Sequence, residues 1–213
     1  MPAGLLGKKL GMTRLFTPEG ALIPVTVIEA GPCVVVQRKT AERDGYEAIQ
    51  VGYGERPRRR TNSPLTGHFE HHGVSPKRYL KEFPVAPGEE FAEQQELTVE
   101  AFSAGQLVDI IAKSKGRGFQ GVMRRHGFHG GPASHGSKVH RVPMSSGATD
   151  AARVFPGQGM PGRMGGTQVT ARAVKIVRVD AERNLLLVKG GVPGPEGGLV
   201  AVRPTMKTPK RKG

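Results

Sequence analysis

Seventy consecutive positions, Ile110 to Val179, hold twelve Lys or Arg against a single acid, Asp150. The cations are Lys113, Lys115, Arg117, Arg124, Arg125, Lys138, Arg141, Arg153, Arg163, Arg172, Lys175 and Arg178, and they place +11 of the chain's formal +14 in about one third of its length. Like charges repel, so a run of this kind opposes its own compaction. The residues between the cations are poor core formers too, with thirteen Gly in the 53 positions from Ser114 to Gly166. Apolar periodicity disappears there, and an uninterrupted helix or a self-sufficient core is excluded. The segment makes sense when a polyanion surrounds it, and nucleic acid is the first candidate.

Both flanks of this stretch read as β. Ala21 to Glu29, Cys33 to Lys39 and Tyr46 to Tyr53 are short Val- and Ile-rich runs, punctuated by Gly31-Pro32 and Asp44-Gly45. Runs of that length between turn signals indicate an antiparallel sandwich or small barrel. Pro24 inside the first run marks an edge or a bulge. Arg56 to Arg60, followed by Asn62-Ser63-Pro64, reads as an exposed basic loop, and Ser75 to Leu80 as a short helix. Gln95 to Val99 and Leu107 to Ala112 read as strands. Thr170 to Val179 and Leu185 to Lys189 form a hairpin pattern, and Leu199 to Arg203 a last strand before the tail Lys207 to Gly213. The plan is a β core, residues 1–113 and 167–213, with a loop and short-helix insert at 56–95. It is interrupted by an irregular basic arm at 114–166. Loops this long without structure of their own are usually functional or disordered. Phe119, Phe128, Met144, Val154, Phe155, Met160 and Met164 argue against pure disorder and for an arm that orders by packing on RNA.

Composition narrows the class. A pI near 10.4 points to nucleic acid or an anionic surface. Arg outnumbers Lys by 19 to 13, which favours phosphate, because the guanidinium fork binds its oxygens in pairs. The single Cys33 excludes an intrachain disulfide and makes a reducing compartment the default. No signal-peptide pattern and no apolar run of about 18 residues appears, so a soluble, cytosolic protein is expected. Residues 82 to 109 hold seven acids and no base, an acidic face expected to be held away from phosphates.

Gly116-Arg117-Gly118-Phe119-Gln120-Gly121 matches the dinucleotide-binding glycine pattern and keeps a nucleotide-dependent oxidoreductase in view. That fold needs a helix next and an acid about twenty residues on. Instead Gly127, Gly130, Gly131 and Pro132 break the path, and no acid occurs before Asp150. Glycines here are better explained by close approach to a phosphodiester strand. His126, His129, His135 and His140 lack zinc-site spacing, with no Cys or carboxylate nearby. They read as hydrogen-bonding and stacking groups for bases and 2′-hydroxyls. His68, His71 and His72 read as surface. Ser134-His135 and Ser145-Ser146 have no orienting acid, so hydrolytic chemistry finds no support. Lys8, Lys9, Arg14 and Arg58, Arg59 and Arg60 join the arm as candidate phosphate contacts.

Several blocks together resemble one family, the bacterial large-subunit ribosomal protein L-three. Gly7-Lys8-Lys9-Leu10-Gly11-Met12-Thr13-Arg14-Leu15-Phe16 is similar to its opening. Phe102 to Arg125 matches its signature at Phe102, Asp109, Ala112, Ser114, Gly116, Arg117, Gly118, Gly121 and Arg125. His135-Gly136, His140 to Pro143, Val154-Phe155 with the following Gly-Met-Pro-Gly, and Val177 to Gly190 resemble its later blocks. Two departures stand out: Pro156 to Met160 carries no base where relatives have several, and Ala148 stands where some relatives have a methylated glutamine.

The resemblance implies a six-stranded antiparallel β-barrel of the translation-protein type with a long basic internal extension. It implies a non-enzymatic constituent of the large ribosomal subunit that binds its RNA near the 3′ end and nucleates early assembly. The arm would reach toward the peptidyl transferase centre, with Ser145, Ser146, Gly147, Ala148, Thr149 and Asp150 at its tip. Expected RNA contacts are Lys8, Lys9, Arg14, Arg58, Arg59, Arg60, Lys113, Lys115, Arg117, Arg124, Arg125, His126, His129, His135, Lys138, His140, Arg141, Arg153 and Arg163. Expected partners are ribosomal RNA and neighbouring large-subunit proteins, with no membrane, no small-molecule substrate, no protein-held metal and no cofactor beyond Mg²⁺ carried by RNA. Charge alone also permits a non-ribosomal RNA chaperone or a nucleic-acid packaging protein.

Overall fold

The computed structural model describes residues 4–85 and 88–205, and the basic tail from Lys207 to Gly213 lies outside the described residues. In chain order the strands are β1 (Leu5–Phe16), β2 (Leu22–Ala30), β3 (Cys33–Lys39), β4 (Ala48–Glu55), β5 (Lys77–Pro84), β6 (Glu96–Leu97), β7 (Leu107–Lys113), β8 (Phe119–Gln120), β9 (Gly162–Arg163), β10 (Gln168–Asp180), β11 (Leu185–Lys189) and β12 (Leu199–Pro204). Three short helices join them, α1 (Ala41–Asp44), α2 (Ser63–His71) and α3 (Val122–His126). The chain divides into two compact units, one built from the chain up to Lys113 and again from Gln168, the other from Ser114–Thr167.

In the first unit six antiparallel strands close a barrel in the order β1-β12-β7-β10-β11-β2. Each contributes fully buried aliphatic side chains: Leu5 and Leu6, Ile28, Val108 and Ile110, Ile176, Leu186 and Val188, Val200 and Val202. Burial of one such side chain is worth roughly 1.5–3 kcal/mol, so even short strands of this pattern hold. A second sheet, ordered β5-β4-β3-β6, shares the same core through Val35, Ile49, Val51, Phe83 and Leu97.

Several expectations need correction. Cys33 to Lys39 is a strand and the run from Tyr46 becomes one only over Ala48–Glu55, and both lie in the second sheet and not in the barrel. The barrel strand β1, unmarked in the sequence reading, pairs with both β2 and β12. Ser75 to Leu80 is no helix: β5 pairs along β4 from Lys77↔Glu55 to Pro84↔Ala48. The loop after Arg60 becomes α2, because Asn62 caps it by accepting from the Leu65 N–H at 3.3 Å and proline occupies its first turn. Gln95 to Val99 shrinks to the two-residue β6 before a 3-10 turn at Val99–Ala101. His72 is buried rather than superficial, with its imidazole 3.4 Å from Glu93 and close to the rings of His68 and His71.

The acidic block also does internal work. Glu82 accepts from the Tyr46 hydroxyl at 2.8 Å and lies 3.4 Å from the Lys39 ammonium. Asp109, only 5% exposed, faces a bulge in β10 between Ala171 and Val174. Ala173 there adopts φ 51°, and its freed N–H donates to Asp109 Oδ1 at 3.0 Å, while Arg203 stands 3.8 Å from Oδ2. Bulges leave a backbone group outside the ladder, and a buried one needs a partner. Asp109→Ala is therefore expected to lower unfolding free energy by about 2–3 kcal/mol in urea titration. Asp109→Asn, which keeps an acceptor, should lose less.

Cys33 is buried, and its thiol donates to the Leu6 carbonyl at 3.3 Å. Burial pushes the thiol pKa up from 9.0 to about 11. The folded chain thus holds this proton across that interval where the unfolded chain releases it, so this group's contribution to stability declines as pH rises through it. Iodoacetamide at pH 8 should leave Cys33 unmodified in native protein and alkylate it fully in guanidinium, as read by mass spectrometry.

Candidate nucleic-acid interface

Within the second unit the two chain ends run side by side. Ser114 N–H donates to Thr167 O at 2.8 Å, Arg117 N–H to Met164 O at 2.9 Å, and Met164 N–H to Gly118 O at 2.9 Å. β8 and β9 continue this ribbon through Phe119↔Arg163 and Gln120↔Gly162. The helix α3 follows Gly121 and stops at Gly127, which is left-handed with φ 76°. Arg125 then donates to Met160 O at 2.7 Å, and the His126 Nε2 meets the same carbonyl at 3.1 Å. Further on, Gly131 N–H donates to His140 O at 2.9 Å and the His140 ring nitrogen Nδ1 lies 2.8 Å from Pro132 O. Ser145 Oγ donates to Gly147 O at 2.9 Å, and a 3-10 turn spans Thr149–Ala151. Backbone hydrogen bonds, not a core, shape this unit: Val122 is its one buried residue.

That shape leaves its charge uncovered. Lys115, Arg117, Arg124, Arg125, Lys138, Arg141, Arg153 and Arg163 are all exposed. Among the described residues none of them forms an ion pair, and Asp150 is the unit's only acid. Apolar groups point outward beside them: Phe119 is 78% exposed, Met144 62% and Phe155 54%, with the Arg153 guanidinium 5.7 Å from the Phe155 ring centre. His129, His135 and the run Ser145, Ser146, Gly147, Ala148, Thr149 and Asp150 are exposed as well. Exposed cations interleaved with aromatic faces suit a backbone of phosphates with unstacked bases.

The sequence-derived contacts of the first unit are more scattered. Lys113 ends β7 exposed, Lys8 is half-buried in β1, and Arg14 is exposed near that strand's far end. Arg58, Arg59 and Arg60 form one exposed 3-10 turn, with Arg58 paired to Glu70. Lys9 is not available to phosphate in the folded chain. It is 7% exposed, and its ammonium donates to Val192 O at 2.9 Å and Gly194 O at 3.2 Å. Arg172, Lys175 and Arg178 are exposed on β10; the charge count included them, but no motif singled them out.

Two further readings change. The glycine motif does not open a helix, because Phe119 and Gln120 are extended in β8 and only the five-residue α3 follows. Not every glycine awaits a phosphate either. A Cβ on Gly131 would run into the Val139 carbonyl, and one on Gly165, where φ is 71°, into that of Lys115. Close approach at both positions is of the chain to itself. His126 and His140 likewise spend one nitrogen on internal carbonyls. Among the described residues no three His, Cys, Asp or Glu side chains gather to hold a metal, and no helix is long and apolar enough to cross a membrane.

The family described as Ribosomal protein L3 matches residues 83–184, which include the whole exposed basic unit. A large ribosomal subunit protein uL3 from Pelotomaculum thermopropionicum is 54% identical over 207 residues, spanning 97% of this chain and 99% of its own. The uL3 proteins of Desulforudis audaxviator and Heliobacterium modesticaldum are each 52% identical, over 97% and 96% of this chain and 97% of their own lengths. The chain belongs to the ribosomal protein L3 family. Family-signature positions now acquire distinct physical duties: in this L3 chain Asp109 secures a bulge and Lys9 ties down the 192–194 loop, whereas Arg117 and Arg125 sit on the charged unit. Lys9→Met should therefore lower unfolding free energy by about 1–3 kcal/mol in urea titration and leave affinity for RNA unchanged. Arg117→Gln should do the reverse.

Proposed function

We propose that this chain is a structural constituent of the large ribosomal subunit, held there by ribosomal RNA packed around Ser114–Thr167. The observation that carries the reading is a unit of eight exposed Lys and Arg, none in an ion pair among the described residues, with one buried side chain. Such a unit gains its surroundings from a partner. The relatives' names as large ribosomal subunit proteins support the large subunit as the assembly that supplies it.

Binding follows from charge and shape. Cations displace condensed counterions from phosphates, and the entropy released provides much of the affinity. Exposed Phe119, Phe155, His129 and His135 offer faces to unstacked bases. Resemblance to the family supports the finer reading: the barrel, of the type shared with translation factors, seats at the subunit surface and engages RNA near its 3′ end early in assembly. The basic unit forms an arm into the particle, with Ser145 to Asp150 nearest the peptidyl transferase centre. Its role there is positioning, with other large-subunit proteins as neighbours and with Mg²⁺ belonging to the RNA. The cytoplasm is where such a particle works.

Two measurements test this. In sucrose gradients of cell extract the chain should co-migrate almost entirely with the large subunit, and a distribution among other ribonucleoproteins or free protein would sink the proposal. In titrations against a large-subunit RNA fragment, log affinity should fall steeply with log salt. Single Gln substitutions at Lys115, Arg117, Arg124, Lys138 or Arg141 should each reduce that slope by about 1.

A further inference from the structure

The run Gly159-Met160-Pro161-Gly162 carries no charge in a unit with eight Lys and Arg, yet three side chains from the outgoing leg of that unit converge on it. Arg125 Nη1 donates to Met160 O at 2.7 Å, and His126 Nε2 lies 3.1 Å from the same oxygen. The Arg125 guanidinium rests on Gly162, where a Cβ would run into Nη1 and stand 3.1 Å from Cζ. A Cβ on Gly159 would stand 3.0 Å from Phe128 Cζ and 3.2 Å from His126 Cγ. Neither glycine lies in the left-handed region, so no turn calls for them. What each supplies is the absence of a side chain. Pro161 disfavours helical backbone at Met160 and so narrows the directions open to its carbonyl. Below this contact the two legs share the register pairs Phe119↔Arg163 and Gln120↔Gly162, and a two-stranded ribbon is marginal in water by itself. Arg125 is anchored on its own leg, where its N–H donates to Gly121 O at 3.0 Å in α3.

We infer that Arg125 is a positioning residue and not a phosphate contact. Its guanidinium clasps the returning leg at Met160 and Gly162, with the His126 and Phe128 rings closing on Gly159, and so fixes the spacing of the two legs before RNA arrives. The clasp spans 35 residues of sequence. By contrast the neighbouring Arg124 bonds within its own leg, to Gln120 Oε1 at 3.4 Å, and is left to meet phosphate. A segment ordered in advance does not charge its ordering entropy to the binding step. The clasp therefore acts on affinity without adding a cation to the count of displaced counterions. Its part in binding rests on the ribosomal reading, whereas its presence in the free chain does not.

The test uses the full chain with Arg125→Gln, Gly162→Ala and the two combined. Gly162→Ala removes no charge, and its methyl displaces only the mobile end of an arginine. In the free chain, hydrogen exchange should show the Arg117 and Met164 amides, which bond across the legs, to be protected. Each variant should lose that protection while the urea midpoint of the barrel stays unchanged. Against a large-subunit RNA fragment each variant should bind roughly three- to ten-fold more weakly at every salt concentration, with the salt slope of the unmodified chain. The double variant should bind no more weakly than either single one, because both remove the same contact. A slope reduced by about 1 in Arg125→Gln, with binding by Gly162→Ala unaltered, would make Arg125 a phosphate contact and overturn the inference. Unprotected amides in the unmodified free chain, or losses that add in the double variant, would overturn it as well. An unmodified chain with protected amides and no affinity for that RNA would instead remove the ribosomal reading, and the role of Arg125 in binding with it.

Discussion

The pairing of β7 with β10 is the constraint on which the architecture rests. Lys113 ends β7, Gln168 begins β10, and the two are register partners in the closed sheet. Everything from Ser114 to Thr167 thus departs from and returns to one point of the ladder. Antiparallel neighbours accept a connection of any length, and the entropic cost of closing a loop grows only as the logarithm of its length. A 54-residue excursion that would cripple a core if placed inside it is tolerable here. Ser114 N–H on Thr167 O holds the two ends of the excursion together.

With that separation made, the two units solve the charge problem differently. The first unit holds acids close to its own bases: Glu82 by Lys39, Glu70 by Arg58, Asp109 by Arg203. Only the Arg58–Glu70 pair is exposed on both sides and individually weak, and together with the mixed signs these pairs leave the barrel free to condense on its aliphatic core. The second unit has one acid for eight bases, and no internal rearrangement could neutralise it. Its order comes from backbone hydrogen bonds and glycine-permitted close contacts, which carry no charge and bury little.

How much of this was legible in the sequence follows the same division. The charge run marked Ser114–Gly166 as a separate unit because electrostatic repulsion is a property of composition and needs no contacts to be read. Strands with uninterrupted aliphatic runs, such as Cys33–Lys39 and Leu185–Lys189, were legible for the same reason. β1 was not, since Gly7, Lys8, Lys9 and Gly11 disguise a strand whose one buried lysine finds its carbonyls only through the 192–194 loop, about 183 residues away in sequence. Which strands share a sheet was equally hidden, because β2 and β3 adjoin in the chain but belong to different sheets. The signals for α2 were present at Asn62 and Pro64, but they lay beside three arginines that read as loop.

Site residues divide along a similar line. A cation's identity reveals that it can meet phosphate, but not that its donors are free, and Lys9 and Arg125 show the two outcomes short of freedom. Lys9 is buried and wholly committed to the fold. Arg125 is exposed yet gives one nitrogen to Met160 O. Burial separates structural from recognising cations here, and burial is a property of the strand partner on the far side of the sequence. The exposed unit escapes that ambiguity because it has almost no interior. With Val122 as its one buried residue, any cation placed between Ser114 and Thr167 remains at the surface, whatever its local contacts. The same feature that denies this unit a core therefore keeps its charges uncovered.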